Sequence, residues 1–195
     1  ILHRILQKAL ASITVRERNA ILNNWVSVMA DNSSPQLNLT SEEWSWLSSH
    51  PVIRVAGDRN WPPIEFIGAN GHFQGLAVDY LDRMAQMLGI RFEFDMTSNW
   101  GTAVQKLKER KLDMFSAAAP TDNRREFATF TTPYLTLPAV IFAHVDTRYI
   151  NGLAGLRGKK VAVIADYAVV DYLKENAPDI TLVEVRDAAD GLRKV

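Results

Sequence analysis

Arg124 is the strongest candidate for ligand chemistry in this 195-residue sequence, because it lies just after a signal for the start of a helix. Thr121 can cap that helix with its side-chain oxygen, so that Asp122, Asn123 and Arg124 form the first turn. The positive end of a helix favours aspartate and disfavours arginine. An arginine there is explained if its guanidinium binds an anion, such as a ligand carboxylate, through two hydrogen bonds. In the alternative, Arg124 lies at the surface and pairs with Asp122 or Glu126.

Four other side chains are candidates for contact with a small molecule, because they follow predicted strands or begin a predicted helix: Asp58, Trp61, Trp100 and Ser116. Trp61 could form an aromatic wall, and Asp58 could meet a ligand cation. Alternatively, Trp61 packs under the two prolines that follow it, and Asp58 caps the turn. Trp100 either faces the same cleft or belongs to the core of its helix. Ser116 follows a buried strand, where a hydroxyl is well placed for a ligand contact.

The composition and the motifs argue against catalysis, metal binding and nucleic-acid binding. The chain has no cysteine, and its four histidines are scattered without the spacing of metal ligands: His3, His50, His72 and His144. It contains no P-loop, no G-x-S-x-G elbow, no dinucleotide fingerprint and no evident acid–base pair of carboxylates. Lys plus Arg and Asp plus Glu both number 22, so a basic nucleic-acid surface is not expected. The sequence therefore predicts no cofactor, no metal and no bond chemistry in this chain.

Hydrophobic periodicity predicts the elements that position these residues. The first 30 residues have a helical period with a capping box at Thr14 and Glu17, and a polar linker at residues 31–38 leads to a capped helix from Thr40. Strands are predicted at residues 52–56, 91–95, 112–115 and 140–144, and helices at residues 76–88 and from residue 100. Residues 153–185 restart the strand–helix–strand pattern.

This alternation of strands and helices predicts an open α/β sheet with parallel neighbouring strands. In such sheets, ligands usually bind at the carboxyl ends of the strands. Asp58 and Ser116 both fall at the carboxyl end of a predicted strand. The pattern therefore predicts a domain that binds a small molecule.

Four stretches of the sequence resemble the bacterial extracellular solute-binding proteins of family 3, which have the periplasmic flytrap fold. They are IRVAGDRNWPPIEF, NGHFQGLAVDYLDRMAQMLGIRFEF, KLDMFSAAAPTDNRREFATFTTPY and LRGKKVAVIADYAVVDYL, and the similarity covers about residues 50–195. The resemblance implies a periplasmic-binding-protein-like α/β fold of two lobes, joined by a hinge that closes on a ligand. It implies a complete first lobe at residues 51–138, followed by a hinge crossing and a truncated second lobe at residues 139–195.

The resemblance also implies roles for individual residues. The carboxylate-binding arginine of the family falls on Arg124, its aromatic wall on Trp61 and its acidic loop contact on Asp58. A main-chain or hydroxyl contact falls near Ser116 and Ala117. No residue of the chain is implied to be catalytic.

Two positions depart from the pattern of the amino-acid binders in this family. Ala119 stands five residues before the arginine, where those proteins usually have serine or threonine. The small turn after the first strand of the second lobe is Asp166-Tyr167-Ala168 here, which makes Tyr167 a further candidate contact. Because of these departures, the expected ligand is a small carboxylate other than an amino acid. They also keep open a degenerate flytrap that binds nothing.

The residues before the first lobe resemble parts of a tandem arrangement. Residues 1–30 resemble the closing helices of a preceding flytrap domain, and residues 31–50 the linker and short helix into the next one. Tandem flytraps of this kind are similar to those of hybrid sensor histidine kinases of the Bvg/Evg type, and related domains precede diguanylate cyclases. The resemblance implies a periplasmic sensor module of an inner-membrane protein. Its expected partners are a small solute, the adjacent flytrap domain and a second copy of the chain.

Two other kinds of parent protein carry a similar lobe. One is the solute-binding component of an ABC importer, which the helical segment before the lobe argues against, because a free carrier would begin with a signal peptide there. The other is a membrane-bound lytic transglycosylase, which carries such a lobe before its catalytic domain.

Overall fold

The computed structural model describes residues 1–23, Trp25 and residues 37–195. Residues 31–36 of the predicted linker at residues 31–38 lie outside them. The chain forms two compact units: unit 1 consists of Ile1–Ala118 and Phe127–Tyr134, and unit 2 of Ala119–Glu126 and Leu135–Val195. The lobe boundaries expected at residues 51–138 and 139–195 stay predictions.

The described residues form a series of short helices and strands, numbered in chain order. The helices are α1 (Leu2–Ser12), α2 (Val15–Asn23), α3 (Ser41–Ser49), α4 (Leu76–Leu88), α5 (Trp100–Lys108), α6 (Asp122–Arg125), α7 (Ala168–Asn176) and α8 (Ala188–Leu192). The strands are β1 (Val52–Ala56), β2 (Asn60–Trp61), β3 (Glu65–Ile67), β4 (Phe73–Gln74), β5 (Arg91–Phe94), β6 (Met114–Phe115), β7 (Lys160–Ile164) and β8 (Thr181–Val185). A short 3-10 helix spans Leu153–Leu156.

Unit 1 is built around a parallel sheet in the order β5-β1-β6. Val52 of β1 lies opposite Arg91 of β5, and Ala56 of β1 lies opposite Phe115 of β6. Strands that run in the same direction need a crossover connection, and α4 and α5 provide it here. The predicted parallel α/β sheet is confirmed.

The helix α4 buries one apolar face in unit 1. The buried side chains of that face recur at intervals of three and four residues: Ala77, Tyr80, Leu81, Met84 and Leu88. Gly89 ends the helix with a φ of 66°, a left-handed conformation that glycine adopts without steric cost, and its amide donates to the Ala85 carbonyl oxygen. The helix predicted at residues 76–88 is confirmed.

A small antiparallel sheet in the order β2-β3-β4 lies between β1 and α4, where the sequence pattern predicts no strand. Trp61 pairs with Glu65, and Ile67 pairs with Phe73. Each strand has only two or three residues, which is too short for an alternating pattern to be recognised. This sheet matters for function because it brings Glu65 beside the residues that follow β1.

The N-terminal helices α1 and α2 belong to unit 1, where both pack against α4. The two predicted capping boxes are confirmed, with reciprocal bonds between Thr14 and Glu17 at α2 and between Thr40 and Glu43 at α3. Lys8 of α1 donates to the buried carboxylate of Glu43 at 2.6 Å and ties α1 to α3. The assignment of residues 1–30 to a preceding domain stays a prediction.

Unit 2 contains a parallel pair of strands with α7 between them in sequence. The register runs from Lys160 opposite Thr181 to Ile164 opposite Val185. A core cluster of buried side chains holds this unit together: Leu156, Val163, Val170, Leu173 and Ile180. The predicted strand–helix–strand pattern is confirmed.

The prediction of a strand at residues 140–144 is wrong. These residues form no strand, and Val140 and Phe142 are 66% and 69% exposed. An apolar run favours a strand, yet a strand also needs a neighbour that completes its hydrogen bonds, and no described strand pairs with this run. The strand predicted at residues 112–115 is shorter in the structure, because only Met114 and Phe115 pair with β1.

Among the described residues, no helix is both long enough and apolar enough to cross a membrane.

Candidate functional site

Three predicted contact residues of unit 1 lie at one edge of its parallel sheet. Asp58 is two residues beyond the end of β1, and Ser116 and Ala117 directly follow β6. Because β1 and β6 are parallel neighbours, their carboxyl ends meet at this edge. The Ser116 amide donates to the Ala56 carbonyl oxygen at 3.0 Å, so the end of β6 is held against the end of β1. All three contact residues are buried.

The side chain of Asp58 holds the turn that follows β1. Its Oδ1 accepts a hydrogen bond from the Asn60 amide at 2.9 Å, which is the local bond of an Asx turn. The turn-capping alternative for this residue is therefore present. An ionised carboxylate has about four acceptor positions. A bond to the turn and a contact with a ligand cation are compatible for that reason.

Glu65 of β3 joins the two strand ends, although sequence reasoning did not identify it as a functional residue. It is fully buried. Its Oε1 accepts from the Asp58 amide at 2.9 Å, and its Oε2 accepts from the Ser116 hydroxyl in a short hydrogen bond. The signal that could have found it is a single acidic residue between two apolar ones, Ile64 and Phe66. A carboxyl group in such a place is rarely buried unless it has partners.

The environment of Glu65 favours its neutral form. Burial raises the pKa of Glu65 to about 8, and the negative charge of Asp58 adds to the rise, while the bonds from Ser116 and from the Asp58 amide oppose it. The Tyr134 hydroxyl donates to the Ser116 carbonyl oxygen at 2.8 Å. Burial also raises the pKa of Tyr134, and the charge of Glu65 adds to that effect. At neutral pH this edge of unit 1 therefore presents mainly uncharged polar groups around Asp58.

The two predicted tryptophans of unit 1 are both half-buried. Trp61 belongs to β2 and pairs with Glu65, and the two prolines that follow it are exposed. Trp100 begins α5, and Asn99 caps this helix because its side-chain oxygen accepts from the Thr102 amide at 2.9 Å. The ring of Trp100 lies 5.3 Å from the ring of Phe115 in a tilted arrangement. Trp100 thus packs on the end of β6, as the core alternative states, and a ligand contact for either tryptophan stays a prediction.

Arg124 lies in unit 2, in the short helix α6. Its amide bonds to the Thr121 hydroxyl at 3.3 Å, so the predicted cap is present. The side chain is buried, which differs from the surface alternative. Its NH1 donates to the Ala119 carbonyl oxygen and its NH2 donates to the Asp166 carbonyl oxygen, both at 2.8 Å. Burial lowers the pKa of Arg124, and the charges of Asp171 and Asp166 oppose that shift.

Tyr167 lies next to the carbonyl group that binds Arg124. It is the half-buried N-cap residue of α7, and its carbonyl oxygen accepts from the Val170 amide at 2.9 Å. The preceding residue, Asp166, has a φ of 61°, a left-handed conformation that aspartate adopts more readily than most residues. Arg124 and Tyr167 are therefore brought together in unit 2, and the other five candidates belong to unit 1.

Unit 1 also contains a cavity of about 280 Å³. Apolar side chains of α1 and α4 form much of its wall, and of the predicted contact residues only Ser116 lines it. The other candidate residues of unit 1 therefore lie outside the lining of this cavity. Within the described part of the chain, no group of three or more His, Asp or Glu side chains is arranged to hold a metal ion.

Comparison with known proteins connects these residues to one family. The sequence profile of the bacterial extracellular solute-binding proteins, family 3, matches residues 53–194. The sensor protein EvgS of Escherichia coli K12 is 25% identical over 197 residues, which cover 100% of this chain and 16% of that protein. The ABC transporter arginine-binding protein 1 of the same organism is 28% identical over 137 residues, which cover 70% of this chain and 55% of that protein.

A solved structure has the same fold. The periplasmic VFT2 domain of BvgS from Bordetella pertussis matches with a TM-score of 0.69 at 23% sequence identity. The match covers 81% of this chain and 67% of that domain. The predicted flytrap fold is confirmed by this likeness together with the family profile. The match to the sensor protein EvgS extends over the whole of this chain. The chain spans only about a sixth of the length of that protein.

Proposed function

Because this chain belongs to the bacterial extracellular solute-binding proteins of family 3, we propose that it senses a small carboxylate or an amino-acid-like solute in the periplasm. The observation that carries the proposal is the buried guanidinium of Arg124, which two main-chain carbonyl groups hold in place. A guanidinium that is fixed in this way loses less conformational freedom when it binds a carboxylate bidentately. The proposed contacts with the solute are Asp58, Trp61, Trp100, Ser116, Ala117, Arg124 and Tyr167.

The charge of Arg124 supports an anionic group in the solute. Arginine does not lose its proton in proteins, so burial leaves a positive charge inside unit 2. The dipoles of the two carbonyl groups stabilise this positive charge, and the nearby carboxylates of Asp166 and Asp171 offset part of it. A carboxylate from the solute would match both the charge and the planar geometry of the guanidinium.

The relatives favour sensing over transport. The sensor protein matches the whole chain, including α1, α2 and α3, whereas the arginine-binding protein matches 70% of it. The N-terminal helices pack on α4, so they are part of the folded unit that binds the solute in this proposal. The second candidate is the solute-binding component of an ABC importer, which the 28% identity to the arginine-binding protein supports.

The proposal is tested by a thermal-shift screen of the intact protein against amino acids and small carboxylates. A solute at 100 times its dissociation constant should add about 2.7 kcal/mol to the free energy of unfolding. The shift should disappear in Arg124→Ala and persist in Arg125→Ala, the same change at the exposed neighbour in α6. Melting without solute shows whether Arg124→Ala is folded.

Two outcomes would contradict the proposal. An unchanged solute shift in folded Arg124→Ala would remove the arginine from the site. No shift with any compound of the panel would favour a flytrap that binds no solute and responds to its protein neighbours instead.

We further propose that the parent is an inner-membrane signalling protein with an adjacent flytrap domain, that it forms homodimers, and that it acts through a histidine kinase. The match to a sensor protein over the whole length of this chain supports this proposal. The solute found in the screen should change histidine autophosphorylation of the intact protein in membranes, and Arg124→Ala should abolish that change. Uptake of the solute with no change in phosphorylation would support the importer instead.

A further inference from the structure

A single buried carboxyl group connects two of the proposed solute contacts in unit 1. Glu65 belongs to β3, yet it accepts hydrogen bonds from the backbone amide of Asp58 and from the hydroxyl of Ser116. Asp58 follows β1, and Ser116 follows β6. Each carboxyl oxygen therefore binds one of the two polypeptide segments that carry Asp58 and Ser116.

Ser116 is held from several directions. Its hydroxyl also lies 3.2 Å from the Ala56 carbonyl oxygen, and its own carbonyl oxygen accepts from Tyr134 at 2.8 Å. The hydroxyl has one proton and can donate fully to only one acceptor at a time. The choice between Ala56 and Glu65 therefore sets the direction in which its proton points.

We propose that Glu65 is a positioning residue for solute binding. It fixes the Asp58 turn and the end of β6 relative to each other, and its protonation state orients the hydroxyl of Ser116. When Glu65 is neutral, its carboxyl proton is donated to Ser116 Oγ, and the Ser116 hydroxyl donates to the Ala56 carbonyl oxygen. When Glu65 is ionised, the Ser116 hydroxyl turns to donate to Glu65. This inference rests on the proposed function, because it concerns the same solute contacts.

Glutamine at this position reproduces the neutral arrangement. Its carbonyl oxygen can accept from the Asp58 amide, and its amide nitrogen can donate to Ser116 Oγ, which leaves the Ser116 hydroxyl bonded to Ala56. Alanine removes both bonds and leaves the Asp58 amide buried without its acceptor. The pair Glu65→Gln and Glu65→Ala therefore separates the hydrogen-bond pattern from the charge. Among the residues that the structure describes, the titratable groups that face Glu65 are Asp58 from the turn after β1 and Tyr134, with Tyr80 of α4 behind Tyr134.

The test uses hydrogen exchange of the intact protein without solute, read by mass spectrometry over residues 57–60 and 114–117. Glu65→Ala should exchange about tenfold faster in both segments, since a tenfold change corresponds to about 1.4 kcal/mol. Glu65→Gln should match the wild type, and so should Glu93→Ala, which changes an exposed glutamate of β5. Protection in β7 and β8 shows whether the change stays local. If Glu65→Ala does not fold, Ser116→Ala replaces it, with faster exchange expected at residues 114–117.

Binding of L-arginine and L-glutamate, measured from pH 6 to pH 9, is the second readout. The affinity of the wild type for whichever probe binds should change as Glu65 ionises, whereas the affinity of Glu65→Gln should not. Wild-type exchange in Glu65→Ala, or in Ser116→Ala where that variant replaces it, would overturn the inference. The same pH profile in the wild type and in Glu65→Gln would also overturn it. If the wild type binds neither probe nor any compound of the thermal-shift panel, the proposed function fails. The exchange result still decides whether Glu65 orders these two segments.

Discussion

Burial has opposite consequences for two ionisable side chains, Glu65 of unit 1 and Arg124 of unit 2. Burial raises the pKa of Glu65 to about 8, so this acid takes up a proton and is mostly neutral at pH 7. Burial lowers the pKa of Arg124, but a guanidinium keeps its proton in proteins and needs support from the carbonyl groups around it. Arg124 of unit 2 therefore stays charged, whereas Glu65 of unit 1 is mostly neutral. We therefore expect the anionic group of a solute to bind in unit 2, and unit 1 to contribute neutral polar groups around Asp58.

Removing the charge of unit 2 should have the largest effect. Arg124→Met keeps an apolar stem and should weaken binding of the identified solute at least about 30-fold, since the loss of a buried charged partner costs about 2–5 kcal/mol. Arg124→Lys keeps the charge and loses the planar fork, so its affinity should lie between those of Arg124→Met and the wild type. Isothermal titration calorimetry measures all three, with Arg125→Met as the control. Wild-type affinity in Arg124→Lys would show that charge alone is sufficient and that the fixed orientation is irrelevant.

The neutral acid of unit 1 should be visible in the pH dependence of stability. Between pH 4.5 and about 8, the unfolded state has released the proton of Glu65 while the folded state still holds it. Stability should therefore decrease as the pH rises through this range, by up to about 1.4 kcal/mol per pH unit, and the decrease should stop above a pH of about 8.

Urea unfolding of the wild type and of Glu65→Gln isolates this contribution, because every other titrating group is common to both proteins. The difference between their free energies of unfolding should change with pH by up to about 1.4 kcal/mol per pH unit. A difference that does not vary with pH would mean that Glu65 is ionised in the folded protein, and the contrast between the two units would be lost.

Asp95 of unit 1 is a partly buried carboxyl group, and it differs from Glu65 in having a cation beside it. Comparing the two shows whether a nearby cation decides if such a group is charged or neutral. Burial alone would raise the pKa of Asp95, but hydrogen bonds from Lys106, Ser98 and Thr97 outweigh it and hold the pKa well below its usual range. Lys106 donates to its Oδ2 at 2.6 Å. Unlike Glu65, Asp95 is therefore expected to stay charged throughout the neutral range.

The stability that Asp95 contributes should be present above pH 4 and should decrease as the pH falls further, which is the opposite direction to Glu65. Asp95→Asn should lower the free energy of unfolding at pH 7 by about 1.5–3 kcal/mol, since hydrogen bonds to charged groups are worth about that much. Asp122→Asn, at an exposed position, serves as the control. Urea unfolding at pH 7 and at pH 3 measures the effect. An equal loss at both values would show that shape, and not charge, gives Asp95 its contribution.

Local signals in the sequence predict much of this architecture. The alternation around β1, α4 and β5, the stop at Gly89 and the capping boxes of α2 and α3 each depend on residues within one or two turns of each other. Asp58 and Ser116 could be assigned to the carboxyl ends of strands because the end of a strand is itself a local feature of the sequence. Their placement at one edge then follows from the sheet topology.

The rest depends on contacts that are distant in sequence. Glu65 binds Ser116, which is 51 residues away, and it lies in a strand of three residues that has no recognisable period. Arg124 donates to the Asp166 carbonyl group, which is 42 residues away. The apolar run at residues 140–144 shows the opposite error, since its local pattern favours a strand that has no neighbour among the described strands. In each case the deciding partner is one that the local sequence cannot specify.

Ala119 offers the smallest and most selective change to unit 2. Its carbonyl group supports Arg124, and that bond does not depend on the side chain at position 119. Ala119→Ser adds the hydroxyl that amino-acid binders of the family usually have there. It should raise the affinity for an amino acid about two- to tenfold, the value of one added hydrogen bond. A simple carboxylate without an amino group should gain less, and Ala118→Ser should change neither affinity. If titration calorimetry shows the same gain for both ligands, the hydroxyl acts on the carboxylate through Arg124 and Ala119 does not explain a preference against amino acids.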